Sequence, residues 1–109
     1  MTDLDRVIHE PARLRIVTIL AAIVESDFNY LLQETELTKG NLSTHLSKLE
    51  ESGYVSIEKT FRGKIPMTLV KLTREGQDAF RAYRKEMTAL LDLPSRKSAL
   101  NRSLAPQKA

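Results

Sequence analysis

Residues 38–72 concentrate the side chains of this chain that could take part in chemistry. The first half of the stretch, TKGNLSTHLSKLEESGYV (38–55), is rich in hydroxyl, amide and ammonium groups, and the second half places lysines and an arginine around a glycine. Groups of these kinds hydrogen-bond phosphate oxygens and the edges of bases. The chemistry to expect here is therefore recognition of a polyanion, and the chain around this stretch must position the groups.

The first half predicts one helix with two different faces. Thr38 is a good N-cap and Gly53 a good left-handed C-cap. Leu42, Leu46 and Leu49 fall within an arc of about 60° and form the stripe that should be buried. The opposite face carries serine, threonine and glycine, which are weak helix formers, so helix propensity does not explain it. Short polar side chains would let the backbone approach a DNA groove, although a plainly solvated face is the alternative.

The second half predicts a basic β-hairpin. Val55 and Ile57 alternate with polar residues in a first strand, and a return strand runs from about Met67 to Leu72. The turn is expected at residues 61–64, where Gly63 supplies a permissive backbone. Long cations at the tip of such a ribbon can follow a phosphate backbone or enter a narrow minor groove. Alternatively, the charges only protect the strand edges from pairing with other chains.

The residues before this stretch predict helices. Pro11 suits the first turn of a strongly apolar helix, and a shorter helical piece over Leu4–Ile8 should precede it. Asp27 or Ser26 can cap a further helix that ends near residues 35–37, so only a tight turn separates it from the cap at Thr38. Two helices joined in this way match a helix-turn-helix. The residues expected on the apolar face of the first long helix are Leu14, Ile16, Val17, Leu20, Ile23 and Val24.

A last helix should run from the cap at Thr73 to Asp92 and carry an apolar stripe along most of its length. Because the preceding elements already form a small core, this stripe is partly surplus to one chain, and a two-fold dimer contact would use it. Packing entirely on its own domain is the alternative. The residues predicted for the dimer contact are Phe80, Tyr83, Met87, Leu90 and Leu91.

Length and composition indicate one globular domain, which we place at residues 1–92, followed by a flexible basic tail at 93–109. No apolar run is long enough to cross a membrane and no signal peptide is visible, so the expected location is the cytoplasm. Residues 1–36 hold three cations against seven carboxylates, a net charge of −4. Residues 37–74 hold seven cations against three carboxylates, a net charge of +4. The positive charge lies where phosphate contacts are expected.

An enzymatic function is not expected from these residues. The chain has no cysteine, which excludes a disulfide, a thiolate metal site and a cysteine nucleophile. Ser43 and Ser47 lie two residues from His45, so on a helix their hydroxyls point about 160° away from the imidazole and cannot be activated by it. No glycine-rich phosphate loop, paired metal carboxylates or HExxH-like string occurs. We therefore predict neither a metal site nor a cofactor.

The strings IHEPARLRIVTIL and LTKGNLSTHLSKLEESGYVSIEKTFRGKIPMTLVKLTREG, with their spacing, resemble the winged-helix transcriptional regulators of the MarR and ArsR type. The resemblance extends from residue 4 to about residue 83. It implies an α+β, mostly helical fold: a winged helix-turn-helix with a three-helix core, a wing of two or three strands and a long C-terminal helix. It also implies dimerisation through the terminal helices.

The resemblance assigns residues to DNA contacts. Those in or beside the major groove would be Lys39, Gly40, Asn41, Ser43, Thr44, Ser47 and Lys48, with Thr38 at the helix start anchoring a phosphate. The wing contacts would be Arg62 and Lys64, with Lys59 nearby. Unlike the metal sensors among ArsR proteins, this chain offers only His9 and His45, and metal sensing through thiolates is excluded. His45 is expected to pack on the helix flank, and His9 to cap the first long helix or bond the backbone.

The sequence therefore predicts a sequence-specific, double-stranded DNA-binding transcriptional regulator that forms a homodimer. Its recognition helix, about residues 39–52, would occupy the major groove, and its wing, about residues 59–66, would contact the backbone or the minor groove. The rival prediction is a winged-helix adaptor that binds another protein and no DNA, which would favour an apolar or acidic recognition face. No residue locates a small-molecule effector site, so an effector stays unknown.

Overall fold

Four helices and the two strands of the hairpin follow one another in the predicted order, in a computed structural model that describes residues 4–92 and 94. A short third strand at residues 26–27, where only a helix cap was predicted, completes an antiparallel sheet. The helices are α1 (Pro11–Ala22), α2 (Phe28–Thr35), α3 (Lys39–Glu51) and α4 (Arg74–Leu91). The strands are β1 (Ser26–Asp27), β2 (Val55–Arg62) and β3 (Ile65–Leu72), in the spatial order β1-β3-β2. This architecture confirms the predicted α+β, mostly helical fold class. Of the predicted tail at 93–109, only Pro94 lies within the described residues.

Side-chain oxygens cap the helices at the residues where the sequence places start signals. Those of Asp27, Thr38 and Thr73 each accept a hydrogen bond from a backbone N–H in the first turn, at distances of 2.7, 3.1 and 2.9 Å. Glu10 caps α1 and Pro11 follows it as the first helical residue. Each cap satisfies N–H groups that have no partner inside the helix, so these helix starts are fixed locally.

The predicted short helix over Leu4–Ile8 is wrong, because these residues form a turn. The Asp5 carboxylate accepts hydrogen bonds from the N–H groups of Val7 and Ile8, at 2.8 and 3.1 Å. Glu10 already has the extended backbone of an N-cap, which leaves too few residues for a helix of its own. The turn nevertheless buries Ile8 completely and thereby anchors the start of the chain to the core.

Two polar contacts attach this turn to the rest of the domain. The His9 Nδ1 atom lies 2.8 Å from the Tyr83 hydroxyl, so His9 bonds α4 instead of capping α1. The Tyr54 hydroxyl donates a hydrogen bond of 2.5 Å to the Asp5 carboxylate. That bond, with burial and the charges of nearby carboxylates, raises the pKa of Tyr54 to about 12. The two contacts hold the turn against α4 and against the residue that leads from α3 into the sheet.

The core is a single apolar cluster to which every helix contributes. Leu42, Leu46 and Leu49 of α3 are buried as predicted, and α3 packs against α1 and β2. Val24 was expected in the core but is 88% exposed, because α1 ends at Ala22 and the chain has left the helix there. The buried apolar residues are Ile8, Ile16, Val17, Leu20, Leu31, Leu42, Leu46, Leu49, Val55, Val70, Leu72, Phe80 and Tyr83.

The five residues predicted for a dimer contact on α4 divide into two groups. Phe80 and Tyr83 are buried in the core of their own domain, 9% and 3% exposed, so little of either is left for a partner. Met87 is half-buried, whereas Leu90 and Leu91 are 50% and 75% exposed. A dimer contact stays a prediction, and the residues still available for it lie in the last turn and a half of α4.

Among the described residues, no helix has the length and apolar character to cross a bilayer.

The hairpin differs from the prediction at its turn. Its loop is two residues long, with Gly63 first at a φ of +63°, in place of the expected four-residue turn at 61–64. A left-handed glycine at the first loop position suits the tight turns that match the twist of a hairpin. The return strand consequently starts at Ile65, two residues earlier than predicted. β1 pairs with β3 only at residues 69–70, nearer the core than Pro66. The edge of β3 at Pro66 is therefore not covered by β1, and the lack of an N–H at this proline costs no hydrogen bond there.

Replacing Gly76 with alanine should destabilise the domain, although alanine is the better helix former. A Cβ atom at this buried position would lie 2.1 Å from the carbonyl oxygen of Tyr54, which is backbone and cannot move aside cheaply. We expect the free energy of unfolding to fall by about 1–3 kcal/mol in urea denaturation. Gly40→Ala is the matched control, because a Cβ there meets nothing within 4 Å; it should leave stability equal or raise it by up to about 1 kcal/mol. Equal stability of Gly76→Ala and wild type would contradict this packing.

Candidate nucleic-acid interface

A turn of three residues, 36–38, sets the angle between α2 and α3. Glu36 closes α2 in the left-handed conformation, with a φ of +58°, and its N–H bonds the carbonyl of Leu32 at 3.1 Å. The Arg15 guanidinium on α1 donates a hydrogen bond of 3.1 Å to the carbonyl of Thr35, in the last turn of α2. A cation at the C-terminal end of a helix satisfies a carbonyl that has no helical partner and complements the helix dipole. The helix-turn-helix is therefore fixed from α1 as well as by its own turn.

The outward face of α3 is uncovered along its whole length. Leu42, Leu46 and Leu49 turn inward, between 0% and 2% exposed, and the residues opposite them face solvent. No described element of the chain lies over that face. Every residue of this segment predicted for DNA contact is exposed, and the two carboxylates at the end of the helix, Glu50 and Glu51, are exposed as well. The predicted contact residues are Thr38, Lys39, Gly40, Asn41, Ser43, Thr44, Ser47 and Lys48.

The hydroxyl groups on this face differ in what they can still bond. The Thr38 oxygen accepts the Asn41 N–H, which leaves its own proton available to a phosphate oxygen. The Thr44 hydroxyl donates to the carbonyl of Gly40 at 2.9 Å, so it can offer a partner only its lone pairs and its methyl group. Ser43 and Ser47 form no hydrogen bond through their side chains to other described residues. The first helical turn is thus suited to phosphate, and the middle of the helix to base edges.

The wing presents three cations and no carboxylate between residues 59 and 66. Lys59, Arg62 and Lys64 are all exposed, and within the described part of the chain none of them forms an ion pair. Arg62 borders a groove of about 320 Å³ between the wing and the start of α2, which Asp27 and Asn29 also line. The wing is therefore a positively charged projection whose charges are not neutralised by neighbouring side chains.

A polar cluster lies on the flank of α3 next to the start of α1. The Glu10 carboxylate, which caps α1 through the N–H groups of Ala12 and Arg13 at 2.8 and 3.1 Å, also lies 3.3 Å from the His45 Nδ1 atom. The Arg13 guanidinium lies 3.2 Å from the same His45 nitrogen and also bonds the carbonyl of Val7. His45 therefore packs on the helix flank, as predicted, and it connects the middle of α3 to the capped end of α1.

The cluster can bond His45 with or without a proton on Nδ1. A ring with a bare Nδ1 accepts a hydrogen bond from Arg13, whereas a ring with a proton on Nδ1 donates one to Glu10. One nitrogen cannot do both at the same moment, so the state of the ring selects the partner. In each case α3 stays attached to α1 at a residue that points away from the exposed face.

The charge of Glu10 is stabilised despite its surroundings. Partial burial opposes ionisation, but the hydrogen bonds from Ala12 and Arg13 and the nearby charges of His45 and Arg13 outweigh it and hold the pKa of Glu10 below its usual value. The carboxylate is therefore ionised at neutral pH, where it serves the cap and the cluster together.

Sequence reasoning missed Glu10, Arg13 and Arg15 as supports of α3. A glutamate directly before a helix-starting proline was a local signal for the cap. The contacts to His45 and to the end of α2 join residues 20 to 35 positions apart, which no local pattern encodes.

Comparison with known proteins agrees with this geometry. A family model described as a winged helix DNA-binding domain matches residues 12–91, nearly all of the elements above. The chain belongs to the winged-helix DNA-binding domain family. This confirms the resemblance to winged-helix regulators, and the family is one of DNA-binding domains, not of enzymes.

Three relatives illustrate the similarity. An uncharacterized protein of Methanocaldococcus jannaschii is 36% identical over 86 residues, which are 78% of this chain and 92% of the relative. A transcriptional regulator homologue from Pyrococcus horikoshii superimposes with a TM-score of 0.70 at 30% identity, over 82% of this chain and 91% of that one. A MarR-family regulator from Silicibacter pomeroyi shares the fold, with a TM-score of 0.61 at 20% identity, over 89% and 65% of the two chains.

Replacing Glu10 with glutamine should weaken the domain in a pH-dependent way. Because the pKa of Glu10 is lower in the folded than in the unfolded chain, its charge stabilises the fold above the unfolded pKa, near 4.5. That contribution is lost as the pH falls through the folded value. We expect wild type to exceed Glu10→Gln by about 1 kcal/mol in free energy of unfolding at pH 7, and the difference to shrink toward pH 3. Urea denaturation across this range measures it, with the exposed Glu34→Gln as control. A constant difference at every pH would contradict the charge-based account.

Proposed function

We propose that the protein is a sequence-specific transcriptional regulator that binds double-stranded DNA as a homodimer. In this proposal α3 enters the major groove, and the wing, residues 59–66, contacts the adjacent backbone or minor groove. The observation that carries the proposal is the outward face of α3, which is polar, uncovered by the protein's own chain and accompanied by an unneutralised basic wing. A domain built only to bind another protein would gain more from an apolar face.

The proposed contacts follow from the groups that each residue leaves free. The N–H groups at the start of α3, with Thr38 and Lys39, would hold a phosphate, because a helix N-terminus favours an anion. Ser43, Thr44 and Ser47 would meet base edges, and Lys48 a base edge or the backbone beside it. Small side chains here, Gly40 included, allow the helix to lie close to the bases.

Dimerisation would supply the second half of the binding surface. Leu90 and Leu91, with the half-buried Met87, form an apolar strip on α4 that the rest of the domain leaves largely exposed. A two-fold contact through this strip would present two copies of α3 to two half-sites about 34 Å apart along the duplex. Binding stoichiometry should then be two chains for each duplex site.

A charge reversal on α3 tests the face directly. Lys48→Glu places a carboxylate where a groove is proposed, and we expect its affinity for a duplex selected from a random pool by the wild-type protein to fall at least about tenfold. Lys71→Glu is the matched control, because Lys71 is also exposed but lies on the opposite side of the domain's sheet from the helices. Fluorescence anisotropy titration measures both. Equal losses of affinity in the two variants would mean that only the net charge of the protein matters. Wild-type affinity in Lys48→Glu would exclude α3 as the DNA-contacting face.

The salt dependence of binding tests the wing. With about four phosphate contacts per chain, affinity should fall by about 10³-fold or more between 50 and 200 mM salt. Replacing Arg62 and Lys64 with alanine removes four proposed contacts per dimer, so the slope of log affinity against log salt should become shallower by about 3 to 4. Replacing Arg84 and Lys85 on α4 removes the same charge and should leave the slope nearly unchanged. An unaltered slope in the wing variant would exclude the wing from the DNA contacts. If the wild type bound no duplex at all, the adaptor function would be favoured.

A further inference from the structure

The tip of the wing exposes apolar side chains among its cations. Phe61 and Ile65 are each 68% exposed, and Pro66 is exposed as well. None of the three belongs to the core cluster or to the partly buried residues that pack against it. Over the same eight residues, 59–66, the chain carries three cations and no carboxylate. The tip therefore combines apolar surface with positive charge at the end of a narrow ribbon.

The register of the hairpin distributes these groups over its two faces. Phe61 lies directly opposite Pro66, and residues opposite one another in a sheet share a face, so the two rings form an apolar pair. Alternation puts this pair on the same face as Val55, which is buried against the helices. Ile65 lies opposite Arg62 on the other face. Each face of the tip thus presents apolar surface with a cation beside it.

The fold itself gives no reason for this surface. The hairpin leaves the core after Ile57 and Val70. Ile65 and Pro66 line the groove between the wing and the start of α2, yet both stay exposed, so the groove does not bury them. A large exposed apolar residue on an open ribbon invites unwanted pairing, and polar β-branched residues would form the same strands without that risk. The cations around the tip repel other copies of the chain and attract a polyanion.

We infer that the tip of the wing is an apolar wedge that enters the minor groove of duplex DNA, unstacks a base step and bends the duplex. The inference rests on the proposed DNA-binding function and extends it. Phenylalanine, isoleucine and proline are side chains that open base steps from the minor groove. The flanking cations would hold the phosphates on either side, and a two-stranded ribbon is thin enough to enter that groove. The bend would then bring the backbone closer to the rest of the domain.

The experiment measures bending and binding separately. A duplex selected from a random pool by the wild-type protein carries a fluorophore pair at its ends, so that energy transfer reports bending. In a companion series of duplexes, 2-aminopurine replaces one base at a time at each step beyond the major-groove site, so that its fluorescence reports unstacking. The wild type should bend the duplex by about 20–90° and brighten 2-aminopurine at one step per half-site. In the double variant Phe61→Thr and Ile65→Thr, we expect the bend to fall by at least half and the brightening to disappear.

Controls separate the wedge from folding and from charge. Threonine keeps the strand propensity, and unfolding midpoints establish that the variant is folded. Phe61→Leu keeps an apolar wedge and should retain most of the bend. The double threonine variant should retain the salt slope of the wild type, whereas Arg62→Ala with Lys64→Ala makes it shallower.

Each alternative result has a definite meaning. A straight duplex with dark 2-aminopurine in the wild-type complex would overturn the wedge and leave the proposed function in place, as would an unchanged bend in the double variant. Loss of dimers in that variant, measured by sedimentation, with the bend retained would assign the tip to contacts between copies. Absence of duplex binding by the wild type would end the wedge together with the proposed function.

Discussion

The burial of three leucines on one side of α3 is the constraint on which the rest of the structure depends. Leu42, Leu46 and Leu49 are essentially inaccessible, and burial of a leucine side chain stabilises a fold by about 1.5–3 kcal/mol. Because they fall on one narrow arc of the helix, they fix its rotation about its own axis. A different rotation would expose leucines and bury hydroxyls, so the same packing that builds the core also determines which residues face outward.

Two polar contacts restrict the position of α3 further than the burial of its leucines does. Arg15 bonds the last turn of α2, and the cluster of Glu10, Arg13 and His45 joins the flank of α3 to the cap of α1. Apolar contacts alone tolerate small shifts, whereas hydrogen bonds are directional and restrict them. The helix α1 thus positions the proposed recognition helix. The position of the wing depends on α3 in turn, because β2 begins a few residues after α3 ends.

Local chemistry explains which parts of this structure could be predicted from the sequence. Caps at Asp27, Thr38 and Thr73, the proline at the start of α1 and the leucine stripe each depend on residues within a few positions of one another, and each prediction is confirmed. The prediction of a helix over Leu4–Ile8 is wrong because the Asp5 side chain accepts hydrogen bonds from two backbone N–H groups and thereby favours a turn. Such competition between a side chain and the helix is poorly visible in apolar spacing.

Other features depend on partners far along the chain. The Glu10–His45 contact spans 35 positions and the His9–Tyr83 contact 74, so nothing in the local pattern could indicate them. The division of α4 into a buried half and an exposed end was equally hidden, because an apolar stripe has the same spacing whichever surface covers it. The exposed face of α3 could be predicted since it follows from helix rotation. Its ligand is inferred from the chemistry of the face and stays a proposal.

An NMR titration of the isotope-labelled protein with a selected duplex reports, residue by residue, whether α3 and the wing form the contact surface. We expect the largest amide shift changes at the outward residues of α3 and at wing residues 59–66, and only small changes on the solvent side of α4. Saturating binding with the largest changes on α4 or the outer face of the sheet, and none along α3, would contradict this expectation.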